Sequence, residues 1–125
     1  MEETKTVNTA EVPFRNRDTA IKHSKLEKLR ETNPHKVPII FETHPISKIK
    51  SVREMKFFCS RNLKIAYFTQ EITKKCSLSP ETSLYFCCGN NKLIKSDVTI
   101  GELFDKYKDS DGYLYVQFRE IESLG

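Results

Sequence analysis

A chain of 125 residues, 30% charged and 38% hydrophobic, suits one soluble domain that buries roughly two-thirds of its unfolded surface. No apolar run approaches the roughly 20 residues of a membrane-spanning helix. The first twelve residues, MEETKTVNTAEV, contain no apolar signal-peptide core, so a soluble, intracellular protein is expected. The net charge of +4 is uneven: six bases face the single acid Glu54 between Lys48 and Lys64, and seven acids face three bases between Asp97 and Glu122. A basic middle suits an acidic peptide, an anionic membrane or nucleic acid, yet no aromatic-interleaved basic motif of a nucleic-acid module is present.

Residues 1–13 read as a flexible tail. A helix is expected over 18–32, DTAIKHSKLEKLRET, with Asp18 as N-cap, a thin apolar face of Ile21, Leu26 and Leu29, and Pro34 ending it. KVPIIFE (36–42) is the first strand. Val37, Ile39 and Phe41 alternate with Pro38 and Ile40, so both faces are apolar; one covers a core and the other lies under a helix or a ligand. Pro38 belongs where a ladder needs no N–H. EMKFFCS (54–60) is a second strand, again with an aromatic on each face.

A helix is expected over 63–75, LKIAYFTQEITKK, with Ile65, Phe68 and Ile72 forming its inner stripe. SLYFCC (83–88) is a third strand. In TIGELFDKY, Thr99 and Glu102 make a capping box, and Ile100, Leu103, Phe104 and Tyr107 make the buried face of a short helix. DSDG turns the chain into YLYVQFR (113–119), whose inner face is Leu114, Val116 and Phe118. One long helix crossing one sheet face points to an α+β roll: a ubiquitin-like β-grasp, with a four-stranded mixed sheet and an N-terminal helical extension. The domain is placed at 14–119, with 120–125 as a second flexible tail.

The four cysteines, Cys59, Cys76, Cys87 and Cys88, have neither C-x-x-C nor Cys/His spacing for a metal. They read as buried free thiols in a reducing compartment. A thiol enzyme built on Cys87 or Cys88 would need an exposed thiolate beside a base, and both lie in an apolar strand.

Several stretches resemble the Atg8/LC3/GABARAP family of ubiquitin-like autophagy modifiers. NPHKVPIIFE resembles that family's strand with Pro-x-(Lys or Arg)-(Ile or Val)-Pro-Val-Ile-x-Glu. KFFCS sits where it has Lys-(Tyr or Phe)-Leu-Val-Pro, and LSPETSLYFCCGNN is similar to the segment entering its next strand. KDSDGYLYVQF is close to Lys-Asp-Glu-Asp-Gly-Phe-Leu-Tyr-Val-x-Tyr, with a glycine following at the family's spacing. The resemblance runs from about residue 14 to residue 125.

The resemblance implies two activities, neither enzymatic and neither needing a cofactor. Gly125 would be joined through its carboxylate to phosphatidylethanolamine by E1-like and E2-like enzymes (Atg7-like and Atg3-like) and released by an Atg4-like protease. A residue without Cβ passes narrow enzyme sites with least obstruction, and a lipid with two acyl chains anchors stably. The protein would then move from cytoplasm to autophagosome or vesicle membranes. Cargo receptors carrying aromatic-x-x-aliphatic motifs (LIR or AIM) would add as a strand beside EMKFFCS. The resemblance assigns the aromatic pocket to Leu29, Pro38, Ile40, Lys56, Phe58 and Tyr113, and the aliphatic pocket to Phe57, Cys59, Leu63 and Phe68. Lys36, Lys56 and Lys75 match basic positions near the motif's carboxylates.

Departures from the family pattern fall mostly at the second pocket: Cys59 replaces a valine, Ser60 a proline and Glu71 an aliphatic, while Asn33 replaces an aromatic before Pro34. From the residues alone, Ile40, Phe57 and Phe58 read as readily as core, and Lys56 as the guard of a free sheet edge. An Atg12-like modifier joined to a protein lysine, and a β-grasp adaptor that binds peptides without conjugation, stand as alternatives.

Overall fold

The structure, a computed structural model, describes residues 13–49, 52–89 and 91–121 together with the backbone of residues 3–7. The expected site Gly125 lies outside the described residues.

Two strands of alternating apolar residues form the centre of the sheet. β2 (Lys36–Thr43) pairs antiparallel with β3 (Glu54–Ser60), with Ile39 opposite Phe57. On its other side β2 pairs in parallel with β6 (Leu114–Ile121), starting at Ile39 and Leu114. Pro38 therefore sits just before that parallel ladder begins, where its missing N–H costs no pair. β4 (Ser83–Cys88) is antiparallel to β6, with Phe86 opposite Phe118.

Six strands are present among the described residues, in the order β1-β3-β2-β6-β4-β5, where four were expected. One addition is β5 (Lys92–Leu93), which turns back on β4 after Gly89 and Asn91 adopt φ of 62° and 61°. Both values lie in the left-handed region that glycine and asparagine tolerate best. The other is β1 (Glu3–Val7), which pairs antiparallel with the outer side of β3. Its sequence, ETKTV, is too polar to signal a buried strand, but an edge strand needs only backbone pairing on one side. The segment expected as a flexible tail thus carries a strand, and β6 continues through Glu120 and Ile121 into the second expected tail.

α1 (Thr19–Thr32) begins at Asp18, whose Oδ1 accepts the Ile21 N–H at 3.1 Å. Its inward face is Lys22, Leu26 and Leu29; Ile21, expected to point inward, is exposed. α2 (Tyr67–Lys75) starts four residues later than the sequence suggested. The preceding backbone is committed elsewhere: Leu63 O, which a helix beginning there would offer to the Tyr67 N–H, accepts the Ile100 N–H at 2.8 Å, and the Tyr67 N–H donates to Lys64 O at 3.0 Å instead. α3 (Ile100–Tyr107) carries the expected capping box of Thr99 and Glu102.

Both faces of the sheet are covered. Val37, Ile39, Phe41, Met55, Phe57 and Cys59 face α2 and α3 in the larger core, with Leu114, Val116 and Phe118 from β6. Ile40, Phe58, Tyr113 and Tyr115 face the other way, into a smaller cluster closed by Leu26 of α1 and by Phe14. No helix among the described residues is long and apolar enough to cross a membrane.

Candidate functional site: a basic cavity between the first helix and the third strand

Alternation along β3 sends Lys56 and Phe58 towards α1, and Phe57 and Cys59 towards α2. The chain entering α1 makes a 3-10 turn at Phe14–Asn16, and this turn is tied to the start of β3. The Phe14 N–H donates to both oxygens of the buried Glu54 carboxylate, at 2.9 and 3.2 Å. The Phe14 ring meets Tyr113 edge-on at 4.8 Å. The Lys56 ammonium sits 5.1 Å from the Phe14 ring centroid and 5.6 Å from that of Tyr113, a cation–π arrangement that holds the charge over apolar surface.

Beneath this lies a buried polar network. Lys22 Nζ, with a side chain only 4% exposed, donates to Asp111 Oδ2 at 2.8 Å, Phe14 O at 3.1 Å and Arg15 O at 3.3 Å. Tyr115 OH donates to the same Asp111 oxygen, and Asp111 Oδ1 accepts the Tyr113 N–H at 2.9 Å. Burial works to raise the Asp111 carboxyl, but the Lys22 ammonium, the Tyr115 hydroxyl and the Tyr113 N–H together hold it below its usual value. Burial, reinforced by the Asp111 charge, pushes the Tyr113 hydroxyl up to about 12. The network locks α1, the 3-10 turn and the start of β6 into one frame.

That frame encloses a cavity of about 170 Å³ whose lining includes Phe14, Ile21, Lys25, Lys56 and Tyr113. It is smaller than the roughly 300–1,000 Å³ of a small-molecule site, and is sized for one inserted side chain. Its lining carries four cationic residues (Arg17, Lys22, Lys25, Lys56) against two carboxylates (Asp18 and Glu54). Lys22 and Glu54 are engaged internally by the bonds above, and the lining as a whole has more cationic than anionic residues.

Of the residues expected in the aromatic pocket, Lys56 and Tyr113 line this cavity. Ile40 and Phe58 are buried beside it in the smaller cluster, Leu29 packs half-buried against that cluster, and Pro38 is buried opposite Phe58. Phe57, Cys59 and Phe68 lie in the larger core, where the Phe57 and Phe68 rings meet at 4.9 Å, and Leu63 packs half-buried against them. Lys36 is half-buried at the start of β2, and Lys75 is exposed at the end of α2. Neither lysine is part of the cavity wall.

Sequence reasoning missed Phe14, Ile21, Lys25 and Glu54 as site residues. The usable signal was Glu54, a lone acid in a basic stretch that begins a strand. Lys22 was equally legible in principle, because it shares the helical face of Leu26 and Leu29.

The cysteines take no part. All four are free and buried. Burial raises the Cys87 thiol, and burial with the neighbouring Cys87 raises Cys88 to about 11, the opposite of what a nucleophile requires. Among the described residues no cluster of side chains could hold a metal ion.

Residues 21–125 match the family described as autophagy protein Atg8, ubiquitin like. The chain is 26% identical over 115 residues to human microtubule-associated protein 1 light chain 3 gamma, covering 90% of this chain and 78% of that protein. The crystal structure of Trypanosoma brucei ATG8 superposes with a TM-score of 0.75 at 26% identity, covering 90% of this chain and 96% of the other. The family match covers most of the chain and the fold superposes: the chain belongs to the Atg8 family of ubiquitin-like autophagy proteins.

Proposed function

We propose that this Atg8-family protein is a modifier, acted on by conjugation enzymes at Gly125 and recruiting partners through aromatic-x-x-aliphatic peptides. The observation that carries the peptide reading is the cavity beside β3, with Lys56 and Tyr113 in its wall. In an extended peptide, residues an odd number of positions apart project to opposite sides. An aromatic and an aliphatic separated by two spacers therefore reach opposite faces of a sheet they extend. The cavity lies on the α1 face of β3, while Leu63, above Phe57, Cys59 and Phe68, lies on the α2 face. The aromatic enters the cavity against Tyr113 and Phe14, acidic residues preceding it meet Lys25 and Lys56, and the aliphatic rests on Leu63. With Phe57, Cys59 and Phe68 already packed in the core, the second subsite is shallow, so the aromatic and its acids dominate affinity.

Lys56→Glu tests this reading. It reverses charge at the cavity wall and at the strand edge, and is expected to weaken an acidic aromatic-x-x-aliphatic peptide at least tenfold in isothermal titration, while Lys108→Glu leaves it within twofold. Equal binding by both variants contradicts the assignment.

Conjugation of Gly125 to phosphatidylethanolamine rests on family membership, and on a residue type without Cβ, which obstructs an enzyme site least. E1-like and E2-like enzymes would activate and transfer that carboxylate, and an Atg4-like protease would release it. The chain is then their substrate rather than an enzyme, and moves from cytoplasm to autophagosomal membrane. Reconstitution with those enzymes and liposomes should add the mass of one phospholipid to wild type. A mass gain matching a protein, or none, overturns this part.

A further inference from the structure

The outer edge of β3 is already taken. β1 pairs along it in five consecutive positions, from Glu3 opposite Phe58 through Thr4–Phe57, Lys5–Lys56 and Thr6–Met55 to Val7 opposite Glu54. On the inner side β3 pairs with β2, so this outer edge is where an added peptide strand must bond. A strand edge offers one row of N–H and C=O groups and accepts one neighbour. Two occupants of the same five positions exclude each other.

We infer that residues 3–7 are a built-in competitor for the partner site, an intramolecular strand that holds the edge of β3 until a motif peptide displaces it. The inference rests on the peptide reading above.

Two features make the strand displaceable. It is short and outermost in the sheet, with a neighbour on one side only. Its sequence, ETKTV, contains no aromatic residue, so it supplies backbone pairing without the side chain that the cavity is sized to take. A peptide that brings both the strand and the aromatic adds burial in the cavity to the same backbone pairing. The protein thereby discriminates against ligands that offer extended backbone alone.

Displacement has a thermodynamic signature. If the open edge is populated at about 10%, apparent affinity is about tenfold below that of an always-open edge. The full-length chain carrying Lys5→Pro with Thr6→Pro keeps every residue of the two apolar clusters. It also removes two consecutive N–H groups, one of which must face β3, because strand residues alternate. Expected results are an apparent Kd about tenfold lower for the acidic aromatic-x-x-aliphatic peptide, and faster amide hydrogen exchange at residues 54, 56 and 58 in the absence of peptide. A synthetic peptide of residues 1–12, added in trans at high concentration, should partly reverse the gain.

Equal Kd in both chains overturns the competition alone. Weaker binding by the proline variant also overturns it, because the peptide would then be using β1 as its neighbour. Unprotected amides at residues 54, 56 and 58, the ones that alternation turns towards β1, in wild type overturn it on structural grounds. Absence of binding in both chains overturns the motif reading and the competition together.

Discussion

Replacing Lys22 by methionine keeps side-chain length and removes the charge, which makes it a sharp perturbation of the frame around the cavity. The Lys22 and Asp111 side chains are 4% and 6% exposed and 2.8 Å apart. Without the ammonium, the Asp111 carboxylate stays buried with hydrogen bonds from Tyr115 and Tyr113 but no countercharge. The Phe14 carbonyl loses its bond to Nζ as well. Breaking a buried pair from one side costs about 3–5 kcal/mol, a large part of the roughly 5–15 kcal/mol that holds a domain folded. For a chain of this size that corresponds to a drop in Tm of about 10–20 °C.

Urea unfolding by far-UV circular dichroism gives the free energy, and its pH dependence separates charge from packing. In wild type the Asp111 carboxyl lies below its ordinary value. Its stabilising contribution is therefore complete above the unfolded value of about 3.9 and fades as pH falls through the lower folded value. In Lys22→Met, burial acts without the ammonium and raises the carboxyl, so protonation relieves the variant first. The deficit should be greatest near pH 7 and shrink towards pH 4. Adding Asp111→Asn, which keeps the acceptor for the Tyr113 N–H, should recover part of the loss. A deficit below about 1 kcal/mol, or one independent of pH, refutes the network as described.

Tyr113 and Tyr115 should ionise only with alkaline unfolding. Because burial raises both hydroxyls, Tyr113 to about 12, their contribution to stability is constant below about pH 10 and falls above it by more than about 1 kcal/mol per pH unit. Absorbance at the tyrosinate band should show two of the five tyrosines titrating late and together with loss of structure; simple titration of all five contradicts the burial. Gly112 has φ +87°, and a Cβ there would come within 2.9 Å of Leu26 Cδ2. Gly112→Ala should therefore cost about 1–3 kcal/mol in urea unfolding and weaken motif binding through α1, whereas a neutral result would mean that the turn has room to relax.

Elements with strong local signals were legible in the sequence. Asp18 capping α1, the Thr99–Glu102 box and the alternation in β2, β3 and β6 each express a local rule, and all are present in the structure. Elements decided by distant partners were not. β1 depends on the edge of β3 rather than on its own hydrophobicity, and the first turn of the 63–75 helix was lost to pairing of Leu63 and Lys64 with Thr99 and Ile100. The site was half legible. Apolar residues on both faces of β2 and β3 announced that something covers the second face, and α1 with Phe14 does so. Lys56 and Tyr113 were found through resemblance. The Lys22–Asp111 pair was not, because Lys22 shows its face only through its spacing to Leu26 and Leu29, and Asp111, far away in the chain, sits in a turn with no periodic trace.

The peptide assignment is tested most directly by titrating an isotope-labelled chain with an acidic aromatic-x-x-aliphatic peptide and following amide shifts. Changes should concentrate at residues 54–60, at Lys25 and at Tyr113, with Leu63 following on the opposite sheet face. Shifts centred instead on Tyr85, Leu93 and Arg119, at the far side of the sheet, or no shifts at millimolar peptide, would contradict the account.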